Sequence, residues 1–321
     1  MLARFHDQWR RGLLPALGIV ALMPALAVGL AGISGHGHRW IDLLAQFTAP
    51  AALFALGVAT GLAVLRGFRM AVAALAVAAL AGTSALEQAR PADRPVAAVG
   101  APTVRLYSAN LWVGNADVAA IRDSLRAARP DLVILIEAAD APVAALEELL
   151  PDHPHRVMSP RARWRDGGTR TVIASRWPLG RLQELRGLHA ASVRAETPLG
   201  PVRLTAAHLT RPWPYQVQWE QIRQSGALAR QVRAGDGPQI VAGDFNSVST
   251  ARIGDGFRAD SGLIPAPAFP GTWPAQLPAP LGISIDHVWI SPDLAVVERR
   301  LGRPTGSDHR PVVTVLTRAQ P

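Results

Sequence analysis

Three apolar runs, separated by short polar clusters, occupy the first part of the chain. They cover residues 12–34, 43–65 and 70–86 and consist almost entirely of alanine, leucine, valine and glycine. A helix that crosses a bilayer needs about 20 apolar residues, within a range of roughly 17–25. The pattern therefore predicts a transmembrane region over residues 1–86, with three helices at about residues 12–34, 43–65 and 70–86.

Two of these runs also fit another interpretation. The first is preceded by Arg4, Arg10 and Arg11, as a cleaved signal peptide would be, although two further apolar runs follow it at once and favour a retained helix. The third run lies at the lower end of the spanning range, so it also fits a helix buried in a protein core.

The arginines of the short polar segments predict an orientation. Three precede the first run, Arg39 lies in the first polar cluster, and Arg66 and Arg69 lie in the second. Short cytoplasmic segments carry an excess of basic residues. We therefore expect a multi-pass protein of the inner cell membrane, with its N-terminus in the cytoplasm and the chain after three spans outside it. If the third run does not span the membrane, the chain that follows it is expected in the cytoplasm instead.

After the apolar region the pattern changes. Residues 87–103 contain Pro91, Pro95 and Pro102 and predict an extended linker. From residue 104 to 321, short apolar runs alternate with segments that have helical caps and periodicity, which predicts a layered α/β domain. We expect strands at residues 104–111, 131–137, 171–175, 191–195, 202–208, 239–244, 285–291 and 312–316. We expect helices at residues 117–128, 140–150 and 216–232.

The composition excludes several kinds of chemistry. The chain has no cysteine, which rules out disulfides, thiolate zinc sites and cysteine nucleophiles. All 33 basic residues are arginine, which rules out lysine Schiff bases and the phosphate-loop lysine. No Gly-x-Ser-x-Gly elbow and no His-x-x-x-His pair accompanies the polar residues described next.

Polar residues with useful chemistry follow the predicted strands. They are Asn110, Glu137, His208, Asp244, Asn246, Asp286, Asp308 and His309. Taken singly, each is better explained as a turn residue, a cap, a solvated strand end or a buried histidine. Taken together, carboxylate and amide oxygens suit a hard cation such as Mg²⁺, and imidazoles suit contact with phosphate.

The order of these segments resembles the endonuclease/exonuclease/phosphatase superfamily of metal-dependent phosphoesterases, over about residues 104–316. The matching pieces are SANLW, PDLVILIEA, TAAHL, VAGDFNSV, SIDHVWIS and GSDHRPV. The resemblance implies a four-layer αββα sandwich with the active site at one end of two packed sheets. It also implies hydrolysis of phosphodiester bonds by a metal-activated water, with Mg²⁺, or Mn²⁺, as the cofactor.

The resemblance also implies a role for each residue. Glu137 corresponds to the main metal ligand, with Asn110 and Asp308 beside it. Asp244 and Asn246 correspond to the pair that positions and deprotonates the attacking water. His309 corresponds to the histidine on the scissile phosphate, Asp286 to its partner, and His208 to a second histidine that stabilises the transition state.

The substrate stays open at this stage. A phosphate ester of a nucleic acid or of a phospholipid head group fits the resemblance, and the bilayer is the expected partner of the N-terminal helices. Nine arginines between Arg156 and Arg194 either flank an anionic substrate or form a solvated surface. Likewise Arg211, Trp213 and Tyr215 form either a substrate lip or a packed loop. A non-catalytic binding or scaffold protein of the same fold is the alternative function.

Overall fold

The computed structural model describes residues 12–164, 167–185, 188, 190–212, 214 and 217–320. For residues 163, 164 and 167 it describes the backbone but not the side chains. The chain divides into two compact units, Met1–Ala89 with Thr250–Arg252, and Arg90–Ser249 with Ile253–Pro321. Arg4, Arg10 and Arg11, on which the orientation depends, lie outside the described residues, as do Trp213 and Tyr215.

The first unit is helical. Its helices are α1 (Leu14–Ile33), α2 (Arg39–Ala45), α3 (Thr48–Val64) and α4 (Phe68–Ala89). Small residues form the contacts between them, since Ala55, Ala74 and Ala81 are fully buried. Large apolar residues such as Val20 and Met23 point outward and are more than half exposed. Small residues between helices and large apolar residues outside are typical of helices packed in a bilayer.

Helices α1 and α4 are each long and apolar enough to cross a membrane. The second predicted helix, at 43–65, differs from the structure, because a bend of 59° separates α2 from α3. The described residues therefore contain two candidate spans, or three if the bent pair counts as one. Helix α4 ends at Ala89, three residues inside the segment predicted as a linker.

The second unit contains two sheets. The strands of sheet A are β1 (Val104–Asn110), β2 (Leu132–Ala138), β3 (His155–Met158), β4 (Ala162–Trp164), β5 (Gly167–Ser175), β12 (Leu294–Leu301) and β13 (Val312–Arg318). Those of sheet B are β6 (Gln183–Glu184), β7 (Ala190–Thr197), β8 (Gly200–His208), β9 (Gln239–Asp244), β10 (Ile264–Pro265) and β11 (Asp286–Ile290). Sheet A has the order β12-β13-β1-β2-β5-β3, with β4 paired to β5, and sheet B has the order β10-β11-β9-β8-β7-β6.

Helices cover the outer face of each sheet. They are α5 (Val118–Ala128), α6 (Asp140–Ala144), α7 (Leu146–Leu149), α8 (Gln218–Arg233) and α9 (Arg252–Ser261), with a 3₁₀ turn at Ala279–Leu281. Asp117 caps α5 as predicted, accepting a hydrogen bond from the amide of Ala120. The predicted helix at 140–150 is instead two short helices, and α9 and β12 were not predicted.

Three apolar clusters confirm the predicted four-layer αββα sandwich. The first lies between the sheets and includes Leu106, Ile134 and Leu204. The second joins sheet A to α5 and α7, and the third joins sheet B to α8 and α9. Strands β1 and β2 are parallel, and so are β8 and β9, because a helix connects each pair. Their carboxyl ends therefore lie at one edge of each sheet.

Candidate active site

The predicted polar residues converge at the carboxyl ends of the parallel strands. Asn110 ends β1, His208 ends β8 and Asp244 ends β9. His208 on β8 is the register partner of Asp244 on β9. On the other side of β9, Asp286 at the start of the antiparallel β11 is also a register partner of Asp244. The central strands of both sheets thus bring residues that are up to 199 positions apart, Asn110 and His309, into one site.

Glu137 lies in β2 with a left-handed backbone, at a φ of 52°. Its register with β5 shifts between Leu135 and Ala138, which marks a bulge. Bulges redirect side chains and are common beside active sites. A non-glycine residue with positive φ is locally strained, and such strain persists where surrounding contacts hold it. Here the amide of Val113 donates to Oε2 of Glu137 at 3.1 Å.

Asn110 joins the two sheets through its side-chain amide. Its Nδ2 donates to Oε1 of Glu137 at 2.9 Å and to Oδ2 of Asp244 at 3.1 Å. Its Oδ1 accepts from the amide of Trp112 at 2.9 Å. In this arrangement Asn110 orients two carboxylates, and its amide oxygen is already bound to the backbone.

We call Glu137, His208 and Asp244 the open triad. Their ligand atoms lie within 4.8 Å of one another, and Nε2 of His208 is 3.3 Å from Oε1 of Glu137. Burial acts to raise the pKa of the Glu137 carboxyl. His208 and the hydrogen bond from Asn110 outweigh burial and hold that pKa below its ordinary value. The Glu137 carboxyl is therefore an anion at neutral pH.

We call Asp244, Asp286 and His309 the closed triad, because all three side chains are at most 4% exposed. Their ligand atoms also lie within 4.8 Å of one another. Nδ1 of His309 is 2.9 Å from Oδ2 of Asp286, and its Nε2 is 3.8 Å from Oδ2 of Asp244. The Asp286 contact fixes the ring so that Nε2 faces Asp244.

Burial and neighbouring charges shift the pKa values of Asp244 and His309 in the closed triad. Burial raises the pKa of Asp244 to about 6, opposed by His309 and reinforced by Asp286. For His309, burial acts to lower the pKa, but the carboxylates of Asp286 and Asp244 raise it to about 10. At neutral pH the site therefore holds an ionised but weakly basic Asp244 beside an imidazolium.

Asn246 holds Asp244 from the turn after β9. Its backbone amide donates to Oδ1 of Asp244 at 2.7 Å, and its Nδ2 lies 3.2 Å from Oδ2. The same Nδ2 donates to the carbonyl of Leu209 at 2.9 Å, with φ of Asn246 at 49°. The position before Asp244 requires a glycine, because a Cβ on Gly243 would lie 2.0 Å from the carbonyl oxygen of Ala207.

Asp308 forms no hydrogen bond with the other predicted residues in the part of the chain that the structure describes, although its charge helps to raise the pKa of His309. It belongs to neither triad among the described residues, and its Oδ2 accepts from Nε1 of Trp273 at 3.1 Å. Its Oδ1 is buried without a hydrogen-bond partner in the described part of the chain. Trp273 is thus a hydrogen-bond partner of Asp308.

Sequence reasoning assigned no role to two hydroxyls that support the site. Oγ of Ser307 donates to the carbonyl of Asn110 at 2.8 Å and accepts from the amide of His309 at 3.0 Å, so it ties the end of β1 to the closed triad. Oγ1 of Thr272 accepts from the amide of Asp286 at 3.2 Å. Ser307 belongs to the GSDHRPV motif, so the sequence could have indicated its role, whereas Thr272 lies in none of the matching motifs.

His287, beside Asp286, has a structural environment. Its Nε2 lies 2.8 Å from the carbonyl of Ser247, and it packs against Phe245 and Trp289. Burial lowers the pKa of His287 to about 4, so the ring is neutral. It is a core histidine and faces away from the chemistry of the triads.

A cleft of about 240 Å³ opens beside the open triad, and Glu137 and His208 line it. Two arginines from the arginine-rich segment, Arg161 and Arg170, also line it. Other arginines of that segment pair with surface carboxylates, as Arg156 does with Glu147. The segment is therefore divided between the cleft and the solvated surface.

The donor set fits a divalent metal ion. Each triad offers two carboxylates and one imidazole within 4.8 Å. Carboxylate oxygens are the preferred ligands of Mg²⁺ and Mn²⁺, and a buried cluster of negative charge needs a counter-charge. Oδ1 of Asp286 is buried without a hydrogen-bond partner in the described residues, which leaves a further oxygen for such a charge.

Comparisons with known proteins point to one family. The model of the endonuclease/exonuclease/phosphatase family matches residues 107–309. That range contains every predicted site residue from Asn110 to His309. No curated protein matches the sequence.

Solved structures share the fold. An endonuclease/exonuclease/phosphatase from Beutenbergia cavernae has a TM-score of 0.56 and 22% identity, over 68% of this chain and 72% of that one. The human Nocturnin catalytic domain has a TM-score of 0.55 and 17% identity, over 68% of this chain and 96% of that domain. An endonuclease/exonuclease/phosphatase family protein from Bacteroides thetaiotaomicron has a TM-score of 0.54 and 16% identity, over 68% of this chain and 96% of that protein.

Proposed function

The chain belongs to the endonuclease/exonuclease/phosphatase family, and on that premise we propose that it is a membrane-tethered, Mg²⁺-dependent phosphodiesterase. The observation that supports this most is the convergence of five acidic and imidazole side chains at one edge of two sheets. They are Glu137, His208, Asp244, Asp286 and His309. The substrate is a phosphodiester of a nucleic acid or of a phospholipid head group.

In this proposal Glu137 holds the metal ion, with Asn110 fixing its carboxylate and Asp308 as a further oxygen ligand nearby. The ion, with Mn²⁺ as an alternative to Mg²⁺, would neutralise charge on the phosphate oxygens. Nε2 of His208, 3.3 Å from Glu137, lies where it can donate to an oxygen of the transferring phosphoryl group.

The closed triad supplies the proton chemistry. Asp244, with a pKa of about 6, accepts the proton of the attacking water, and Asn246 keeps that carboxylate in place. His309, an imidazolium at neutral pH, stabilises negative charge as it develops on the phosphate. Asp286 is its positioning partner, because it bonds Nδ1 and directs Nε2 towards the reaction.

The test uses the full chain in detergent micelles. Plasmid DNA, single-stranded RNA, sphingomyelin, phosphoinositides and bis-p-nitrophenyl phosphate are assayed with Mg²⁺, with Mn²⁺ and with EDTA. We expect metal-dependent cleavage that EDTA abolishes, and the preferred substrate identifies nuclease or lipid phosphodiesterase. A well-folded chain with no turnover on any of them would overturn the proposal in favour of a non-catalytic binding protein.

We further propose a domain division into a transmembrane region at residues 1–86, a linker at 87–103 and a catalytic domain at 104–321. The outward large apolar residues of α1 and the length of α4 support the membrane region. The arginine pattern supports an inner-membrane protein whose catalytic domain lies outside the cytoplasm.

Labelling of single cysteines tests this topology, since the chain has none of its own. His36→Cys lies between α1 and α2, and Val99→Cys, where the native side chain is 95% exposed, follows α4. With three spans, a membrane-impermeant maleimide labels both from outside intact cells. Labelling of His36→Cys alone would indicate two spans, and labelling of neither until permeabilisation would indicate the opposite orientation.

A further inference from the structure

The cleft beside the open triad has two unlike walls. One wall is cationic and polar and comes from sheet A and the loop before β4, with Arg161, Arg170 and Thr171. The other comes from the segment around β6, with Leu185, Leu188 and the exposed Glu184. Glu137 and His208 line the same cleft, so anything that binds there lies directly beside the proposed reaction centre.

Arg170 is placed by the sheet itself. It lies in β5 as the register partner of Ala138, the residue after Glu137. Residues opposite each other on neighbouring strands have Cα atoms about 4.5–5.5 Å apart. Its Nη1 donates to the carbonyl of Ser159 at 2.9 Å, which fixes the guanidinium at the cleft wall. Among the described residues, no carboxylate forms an ion pair with it.

Arg161 extends the same wall. Its side chain crosses β5 so closely that a Cβ on Gly168 would lie 2.1 Å from its Nε. Its Nη2 contacts Oδ2 of Asp140 at 2.6 Å, but both side chains are largely solvated, at 48% and 76% exposed. A surface pair of this kind is weak and leaves the other guanidinium donors available.

The chemistry of the walls selects the ligand. Arginine presents several N–H donors in a plane and binds phosphate through two of them. The described residues that line the cleft include Arg161 and Arg170, whose guanidinium donors suit a phosphate group. A phosphate group therefore fits the described walls of this cleft.

We propose that the cleft binds a second phosphate group of the substrate, beside the phosphate that is cleaved, with Arg170 as its main contact and Arg161 as a second one. This inference rests on the proposed phosphodiesterase function and narrows its substrate to molecules with at least two phosphates. A nucleotide chain and a phosphorylated lipid head group both provide that chemistry, and the experiment separates them.

The first measurement is binding of inorganic phosphate to the full chain in detergent, with EDTA present. It compares the native protein with Arg170→Met and with Arg105→Met. Arg105 is a matched control, because it lies in sheet A at the opposite end of β1 and also donates to a backbone carbonyl, that of Arg129. We expect Arg170→Met to weaken binding about tenfold, the size of one charge-assisted hydrogen bond, and Arg105→Met to leave it unchanged.

The second measurement is kcat/KM with Mg²⁺ on pairs of substrates that differ by one phosphate. The nucleotide pair is TpT and pTpT, and the lipid-derived pair is glycerophosphoinositol and glycerophosphoinositol 4-phosphate. We expect the native protein to prefer the second member of one pair, which identifies the source of the phosphate. Arg170→Met should reduce that preference about tenfold, and Arg105→Met should leave it unchanged.

The outcomes separate the two proposals. Equal losses on both members of each pair, or binding of inorganic phosphate unaffected by Arg170→Met, would overturn the second-phosphate inference and leave the phosphodiesterase standing. Phosphate binding that depends on Arg170, together with no turnover on any substrate, would support the cleft as an anion site and overturn the enzymatic function.

Discussion

The open and closed triads share Asp244 but differ in their access to solvent. In the open triad, Glu137 and His208 are 17% and 13% exposed and line a cleft. In the closed triad, Asp286 and His309 are 3% and 4% exposed. Solvent therefore reaches the open triad, while burial strengthens every charge interaction in the closed triad. On the proposed function, the open side would admit metal and substrate, and the closed side would hold fixed charge.

The different exposure changes what each ionisable group does. Glu137 keeps a lowered pKa because donors from Asn110 and Val113 and the nearby His208 face it. Asp244, fully enclosed between the triads, has a raised pKa in spite of its own donors. Two carboxylates in one site thus have different affinities for a proton, which allows one to hold a cation and the other to accept a proton.

The largest effect is expected from Glu137→Gln in the open triad. It removes the anion that faces the cleft, and several kcal/mol of metal-dependent stabilisation correspond to about a 10³–10⁴-fold loss of turnover. The thermal midpoint of the native chain should rise with added Mg²⁺, and that of the variant should not. Glu298→Gln, an exposed strand carboxylate paired with Arg300, is the matched control and should retain both properties.

Asp286→Asn should have the next largest effect, in the closed triad. It keeps the shape but loses the charge that orients Nδ1 of His309, and kcat should fall about 10²–10³-fold, the range for losing one donor that stabilises charge in the transition state. Metal-dependent stabilisation should remain, in contrast to Glu137→Gln. Loss of both properties in Asp286→Asn would mean that the triads do not act separately.

Gly243→Ala should damage both triads together. The added Cβ would meet the carbonyl of Ala207, so β8 and β9 must separate, which moves His208 and Asp244. We expect a loss of about 2–3 kcal/mol in the free energy of unfolding and reduced activity. Gly256→Ala, in α9 with nothing within 4 Å, is the control and should stabilise by about 0.5–1 kcal/mol.

The pH dependence of stability tests the positive charge of His309 in the closed triad. The pKa of His309 is about 10 in the folded chain against an ordinary value of 6.5, so the folded state binds its proton more tightly. This stabilisation is complete below pH 6.5 and is lost as the pH rises through about 10. The thermal midpoint in EDTA should therefore fall across that window, and Asp286→Asn should flatten the fall.

The smallest effect is expected from Ser307→Ala, which removes the link between Asn110 and His309. The carbonyl of Asn110 and the amide of His309 lose their shared partner, at a cost of about 1–2 kcal/mol in the free energy of unfolding. A loss of turnover of about tenfold should accompany it, because His309 is less well placed. Ser192→Ala removes a buried hydroxyl between β7 and β8 and should affect stability alone.

The sequence predicted the elements whose interior is apolar and whose end is polar. Strand β2 and its Glu137 are an example, since a strand buried on both faces has an unbroken apolar pattern. Strand β12 was missed because Glu298, Arg299 and Arg300 interrupt its pattern at the edge of sheet A. Helix α9 was missed because Gly254 and Gly256 lower its helical propensity, yet Ile253 and Phe257 bury against sheet B.

The family, the four-layer fold and the identity of the polar residues at the strand ends follow from the amino-acid sequence alone, because they depend on local pattern and motif order. The folded structure was needed to show how those residues divide into two triads. It separated an open from a closed triad, placed Asp308 on Trp273, and put Arg170 beside Glu137 through the pairing of β2 with β5. Burial, register and pKa depend on distances between residues far apart in the chain, and no local pattern encodes them.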